Sequence, residues 1–280
     1  MKRYFLIAAS LLLVLATGCK SVPEDQALEE YNARSAEMVE TFNQKMTDIQ
    51  NDPAVADDEK AAKIQEAYDE AVAELTEDGL AMLRKYPDGE LAVTVLKNIA
   101  AMLEPAQLEE AIALVGGAAA EDEYVKQLTA LSNAKSATAE GKMFTDFTVV
   151  QDEDDPEGST VSLSDYVGKG KYVLVDFWAS WCGPCKQELP NIAAVYEKYK
   201  GDDFDVLSVA VWDDPADTKA TAEEEGVVWN QIINAQQVPT DLYGIEGIPH
   251  IILFGPDGTI LKRDLRGEAI EAAVAEALGR

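Results

Sequence analysis

The amino-acid sequence predicts two parts, an all-α domain over residues 27–137 and an α/β domain with a mixed central sheet over residues 138–280. The first part repeats apolar residues at helical spacing and contains no tryptophan. The second part alternates apolar strand segments with helical segments and closes on a hairpin signal, which is typical of a sheet flanked by helices. A chain of 280 residues is long enough for both domains.

The composition excludes several classes of function. Lys and Arg total 23 against 52 Asp and Glu, which gives a formal net charge of -29. A protein with this charge lacks the basic surface needed to bind nucleic acids or anionic lipid headgroups. The chain has one histidine, His250, and three cysteines. A four-ligand structural zinc site would have to use all four of these residues, so we expect no metal.

The first residues are typical of an export signal rather than of a folded element. Lys2 and Arg3 precede an apolar run at residues 4–16 that is too short to span a bilayer. The small residues before Cys19 are similar to a lipobox. This predicts a signal peptide at 1–18, lipidation of Cys19 and a lipidated tether at 19–26. An ordinary secretory signal is the alternative. In either case we expect export to the cell envelope, and with the lipobox the N-terminal lipid is the only membrane contact.

The helical part is divided by breakers at Asp52-Pro53, residues 87–89, Pro105 and Gly116-Gly117. We predict four or five helices between residues 23 and 135. No catalytic cluster is found there, so the role of this part stays open between a spacer and a binding module.

A small, polar segment at residues 136–142 marks the boundary, and the predicted elements of the second part follow it. Residues 172–178 are almost continuously apolar, as a buried central strand should be. An acidic turn is expected at residues 152–158. We predict strands at 144–150, 160–163, 172–178, 204–212, 248–254 and 259–266, and helices at 182–199, 215–225 and 268–278.

The chemistry of the sequence is concentrated in Trp181-Cys182-Gly183-Pro184-Cys185, which follows the buried strand and opens a helix. Two cysteines one helical turn apart bring their sulfurs close enough for a disulfide. The helix N-terminus stabilises a thiolate, so Cys182 is the predicted nucleophile and Cys185 the resolving thiol. Pro184 fixes the turn, and we expect Gly183 to leave the Cys182 sulfur uncovered for a protein partner.

A structural disulfide and a metal site are the competing interpretations of this pair. A four-residue loop would stabilise the fold only weakly. A metal site would lack two ligands, of which His250 could supply one. The strand–CxxC–helix context therefore favours a redox role, with no cofactor beyond the Cys182–Cys185 disulfide.

Residues 171–185, KYVLVDFWASWCGPC, resemble the thioredoxin superfamily, and CKQELP at 185–190 resembles its exported, membrane-tethered TlpA/ResA-like branch. LSDY from Leu163 and GIPHIILFGPDG at 247–258 agree with that branch. The resemblance covers roughly residues 140–280. It implies a thioredoxin fold and thiol–disulfide oxidoreductase activity. Lipid-anchored members with an additional N-terminal domain are typical of Bacteroidetes-type bacteria.

The resemblance also implies roles for four further residues. Pro249 matches the cis-proline that faces the disulfide, where the backbone of Ile248 pairs with a substrate segment; an edge-strand trans-proline is the alternative. Asp176 matches the buried acid that relays the proton of the resolving cysteine, and burial should raise its pKa. An acid paired with a lysine or a hydroxyl is the alternative. Trp181 is expected to be a half-exposed platform for partner docking.

His250 follows Pro249, and two interpretations stay open for it. A neutral imidazole would only fill space. A cationic imidazole near Cys182 would stabilise the thiolate and make the disulfide more oxidising.

We expect a reductase of exported proteins with thiols or disulfides, because Cys-Gly-Pro-Cys is the motif of the reducing thioredoxins. Such an enzyme needs a membrane thiol electron carrier as a second partner. The alternatives are a disulfide oxidase or isomerase, or a helical binding module with an accessory redox domain. A peroxidase is disfavoured because its threonine-to-cysteine motif is absent around Cys182.

Overall fold

A computed structural model describes residues 22–151 and 158–280. The predicted signal peptide, Cys19 and most of the predicted acidic turn lie outside the described residues. By its internal contacts the chain divides into two compact units between Val125 and Lys126. Within the described ranges, no helix is both long and apolar enough to cross a membrane.

The first unit is helical, in agreement with the sequence prediction. Gly79 of the second helix faces Ile99 of the third so closely that a Cβ at Gly79 would lie 2.7 Å from its Cγ2. Leu83, Leu91 and Leu96 are completely buried there. The helices up to residue 137 are α1 (Glu24–Asn51), α2 (Asp57–Lys85), α3 (Gly89–Ile99), α4 (Pro105–Leu114) and α5 (Glu123–Ala137).

The boundary between the units falls within the first turn of α5, and the end of this helix contacts other residues of the second unit. The Thr138 hydroxyl, next to the helix end, donates to the carbonyls of Ala134 and Tyr243. Lys135 forms an ion pair with Glu246. The second unit therefore includes most of this helix, whereas the predicted limit at residue 137 follows the change in composition.

The second unit contains a five-stranded mixed sheet in the order β5-β4-β3-β6-β7. Strands β3, β4 and β5 are parallel, and β6 runs antiparallel to both β3 and β7. A separate antiparallel pair, β1 and β2, precedes it. The strands are β1 (Thr148–Val150), β2 (Thr160–Ser162), β3 (Tyr172–Trp178), β4 (Phe204–Ala210), β5 (Asn230–Ile232), β6 (His250–Phe254) and β7 (Ile260–Lys262).

Helices cover both faces of this sheet, as expected for a thioredoxin fold. One apolar core lies under α6 (Gly183–Tyr199) and α9 (Glu268–Leu278), and it includes alternate residues of the central strand such as Leu174 and Trp178. The opposite core contains Val175, Phe177 and Tyr243 of α8 (Val238–Tyr243). Helix α7 (Pro215–Glu224) follows β4. The predicted fold class is confirmed.

Several elements differ from the sequence prediction. β5 and α8 were not predicted, because Asn-Gln-Ile is mostly polar and a six-residue helix is too short to show periodicity. β7 ends at Lys262 rather than at 266, since Asp264 has a φ of 54° and leaves the strand conformation. β1 is limited to its last three predicted residues.

Val175→Ala should destabilise the second unit by about 2 kcal/mol, because the mutation leaves a cavity at a fully buried side chain. The matched substitution Val228→Ala, at a side chain that is 69% exposed, should change stability by less than about 0.5 kcal/mol. The measurement is denaturant unfolding followed by tryptophan fluorescence. All four tryptophans lie in the second unit, so this signal reports on that unit alone. Equal losses for the two variants would contradict the burial assigned to β3.

Candidate active site

The two cysteines lie where the central strand meets a helix. β3 ends at Trp178, and Cys182 is the N-cap residue of α6. Cys182 and Cys185 form a disulfide with an S–S distance of 2.00 Å, and the Cys182 sulfur accepts a hydrogen bond from the backbone N–H of Cys185 at 3.1 Å. The free N–H groups and the dipole of the helix end stabilise negative charge on a sulfur at this position.

The disulfide is buried although its surroundings are exposed. Cys182 is 3% exposed and Cys185 1%, whereas Gly183 and Pro184 are exposed. A Cβ at Gly183 would meet no atom within 4 Å. Cys182 is therefore almost fully buried in this disulfide form although Gly183 has no side chain to cover it. The cover comes from the opposite side, where the Ile248 carbonyl oxygen lies 3.7 Å from the Cys182 sulfur.

The segment opposite the disulfide begins with the Ile248–Pro249 peptide bond, which is cis as the resemblance implies. Pro249 is buried and Ile248 half-buried. The structure thus brings Ile248 and Pro249 next to Cys182, although 66 residues separate Ile248 from it.

Trp181 has the most exposed large aromatic side chain at this site, at 61%. Its indole N–H donates to the Trp212 carbonyl oxygen at 3.0 Å. The preceding Ser180 is bound by Asp213, which accepts from the Ser180 N–H at 2.7 Å and from its hydroxyl at 2.8 Å. The loop before Cys182 is therefore hydrogen-bonded to the loop after β4.

Asp176 lies on β3, facing the same core as the disulfide, and is 1% exposed. Neither of its carboxylate oxygens has a hydrogen-bond partner within residues 22–151 and 158–280. Burial raises the pKa of Asp176 from its ordinary 3.8 to about 7, as expected from the sequence. The Arg266 guanidinium opposes this rise in pKa, the Glu188 carboxylate adds to it, and the Ser208 side chain on β4 also opposes it.

Arg266 and Glu188 belong to a polar group beside Asp176 that the sequence prediction did not assign. The Arg266 guanidinium donates to the carbonyl oxygens of Pro249 and, at 2.7 Å, of Leu265. Glu188 of α6 accepts from the Gly267 N–H at 3.1 Å. The Arg266–Pro249 and Gly267–Glu188 contacts join the segment before α9 to the disulfide side of the sheet.

His250 is neutral in this arrangement. Its Nδ1 lies 2.7 Å from an Asp264 carboxylate oxygen, and its Nε2 lies 3.2 Å from an Arg263 nitrogen. A guanidinium can only donate, so Nε2 must accept and Nδ1–H donates to Asp264. Burial lowers the pKa of His250 to about 4, against the opposing effect of Asp264. The cationic interpretation of His250 is therefore wrong.

Asp213 and Arg266 were missed because their contacts are with residues distant in sequence. A signal for Asp213 was available, since it follows a buried parallel strand, and the carboxyl ends of parallel strands gather at one edge of the sheet. Arg266 offered no comparable signal. In the described ranges, no group of three or more His, Cys, Asp or Glu residues could hold a metal ion.

Comparison with known proteins extends these observations. A family model described as the AhpC/TSA family matches residues 141–263. The chain is 31% identical over 128 residues to the thiol-disulfide oxidoreductase ResA of Geobacillus thermodenitrificans, covering 46% of this chain and 70% of that protein. It is 29% identical over 109 residues to ResA of Bacillus subtilis, covering 39% of this chain and 60% of that protein.

Two solved structures are also similar to the second unit. The thioredoxin domain of a thiol-disulfide oxidoreductase from Bacteroides vulgatus is 35% identical, covers 49% of this chain and 96% of that domain, and gives a TM-score of 0.43. A thiol:disulfide interchange protein from Bacteroides sp. is 34% identical, covers 51% of this chain and 93% of that protein, and gives a TM-score of 0.44.

The raised pKa of Asp176 predicts a pH-dependent stability. The folded state holds the proton up to pH about 7, whereas the unfolded state releases it near 3.8. Wild-type stability is therefore lost as pH rises between these values, by about 4 kcal/mol in total. Asp176→Asn should remove this loss, so its advantage over the wild type grows from pH 4 to 8.

Denaturant unfolding of the oxidised proteins at a series of pH values measures this difference. Asp202→Asn, at an exposed aspartate, is the matched control and should stay parallel to the wild type. A pH-independent difference between Asp176→Asn and the wild type would contradict the raised pKa.

Proposed function

Because the chain belongs to the ResA-like thiol–disulfide oxidoreductases, we propose that it reduces disulfides of exported proteins through Cys182 and Cys185. The observation that carries this proposal is the Cys182–Cys185 disulfide at the N-terminus of α6, facing the Ile248–Pro249 segment. The third cysteine of the sequence, Cys19, lies outside the described residues.

The first step is attack by Cys182. Its thiolate attacks one sulfur of the partner disulfide, and a mixed disulfide forms between Cys182 and the partner. The partner's other sulfur leaves as a thiolate and takes a proton from water. The N-terminus of α6 favours the Cys182 thiolate, while Trp181, Gly183 and Pro184 form the exposed rim that a protein partner must contact.

The second step releases the partner. Cys185 gives its thiol proton to the Asp176 carboxylate, and the resulting thiolate attacks the Cys182 sulfur. The Cys182–Cys185 bond forms as the bond to the partner breaks, and the second partner sulfur leaves as a thiolate. Two electrons have then passed from the cysteine pair to the partner. An acid with a pKa of about 7 suits this proton transfer near neutral pH.

The partner segment is held by the backbone of Ile248 next to Pro249. This region is half-buried at Ile248 and lies beside the Cys182 sulfur, so an extended segment bound there would present its own sulfur to Cys182. Main-chain pairing of this kind is independent of the partner's side chains and suits an enzyme with several substrates.

Two observations support the reducing direction. The motif is Cys-Gly-Pro-Cys, and His250 is neutral, so it does not add the positive charge that would make the disulfide more oxidising. A reductase in an oxidising compartment needs a membrane thiol electron carrier. Export and lipidation at Cys19 would bring the redox domain to such a carrier without any cofactor beyond the disulfide.

Reduction of insulin by the reduced full chain tests the activity. Cys182→Ser should abolish the reaction, because the attacking sulfur is lost. Cys185→Ser should accumulate a mixed disulfide between Cys182 and an insulin chain, visible by mass spectrometry without reductant. Cys19→Ser makes the same replacement outside the site and should leave the rate unchanged. Activity retained in Cys182→Ser would overturn the proposal.

The reduction potential of the pair decides the direction. Equilibration of the wild type against defined thiol buffers should give about -270 mV for a reductase. A value near about -120 mV would identify an oxidase instead.

A further inference from the structure

Asp213 is a buried carboxylate that the exchange reaction itself does not use. It is 8% exposed and follows β4, immediately before the N-cap residue of α7. One carboxylate oxygen accepts from the Ser180 hydroxyl at 2.8 Å and from the Asp214 N–H at 3.0 Å. The other accepts from the Ser180 N–H and from the Thr218 hydroxyl, both at 2.7 Å. Four donors satisfy the carboxylate completely.

Two residues near Asp213 have a backbone conformation that residues other than glycine rarely adopt. Trp212 has a φ of 54° and Gln236 a φ of 50°. The Gln236 amide donates to the Asp213 carbonyl at 2.7 Å, and the Trp212 carbonyl accepts from the Trp181 indole. A bulky residue with positive φ persists only where its surroundings determine the backbone, and the bonds to Asp213 do so here.

These contacts connect Asp213 to the exposed face of the site. Ser180 and Trp181 are the two residues before Cys182, and both are held by the Trp212–Asp213 segment. Resting on the proposed function, we propose that Asp213 is a positioning residue that presents Trp181 to protein partners. A docking surface fixed before binding loses less conformational entropy when the partner binds. A small disulfide does not need this surface.

Asparagine cannot replace this carboxylate. Whichever way the amide is turned, its NH2 group faces either the Ser180 N–H or the Asp214 N–H, and a backbone N–H cannot become an acceptor. Asp214→Asn is a matched control with the same change of charge at the adjacent residue. The Asp214 carboxylate accepts from the Ala216 N–H as a helix N-cap, where asparagine serves equally well.

The experiment compares the reduced full chains on insulin and on the small aromatic disulfide DTNB. Asp213→Asn should raise the KM for insulin about fivefold with kcat nearly unchanged, since a charge-assisted hydrogen bond is lost. The rate with DTNB should stay within twofold of the wild type. Asp214→Asn should match the wild type on both substrates. In a Trp181→Phe background, Asp213→Asn should have no further effect on the KM.

Several outcomes would overturn the proposal. They are an unchanged KM for insulin, an equal loss on both substrates, or a full effect of Asp213→Asn in the Trp181→Phe background. If Asp213→Asn does not fold, Ser180→Ala removes one of the four bonds and should raise the insulin KM about twofold with DTNB unchanged. An unchanged KM for insulin in Ser180→Ala would also overturn the proposal. A wild type inactive on both substrates would refute the proposed function instead.

Discussion

The site depends on the junction between a buried central strand and the N-terminus of a helix. β3 is paired on both sides, by β4 and by β6, and all its residues after Tyr172 are buried. The strand therefore cannot shift without disrupting the whole sheet, since a slip by one residue would turn its apolar side chains to the wrong face. Three residues then connect Trp178 to Cys182, the N-cap of α6.

The same strand carries the carboxylate that the proposed mechanism requires. An isolated ionised carboxylate in an apolar core is costly, and Asp176 has no hydrogen-bond partner within the described ranges. Its raised pKa is the consequence of this burial. Glu188 and Arg266 then act in opposite directions on its pKa, so the electrostatic environment of one buried acid is shared among β3, α6 and the start of α9.

The polar contacts around the disulfide divide into an inner and an outer group. The inner group consists of Asp176 and the Pro249 carbonyl, which belong to buried residues. Asp213 and the Trp212 carbonyl hold the loop that faces the solvent. The cysteines are almost fully buried, so in the proposed reaction a partner would contact the exposed rim first. The proposed mechanism therefore assigns partner binding and proton transfer to different residues.

The sequence by itself determined the fold class, the central strand and the redox pair. Each has a local cause: the apolar run of β3, the helical spacing of α1 to α5 and the one-turn separation of Cys182 and Cys185. The high pKa of Asp176 could also be predicted, because a charged residue within a buried strand has no access to water.

Only the tertiary structure decided how the cysteines are covered and supported. Ile248, Asp213 and Arg266 come from segments far apart in the chain, and no local pattern encodes their mutual distances. His250 shows the same limit, since its neutral state follows from the guanidinium of Arg263 on one ring nitrogen and the carboxylate of Asp264 on the other. Charge states and contacts of this kind are set by packing, which the sequence specifies only through the completed fold.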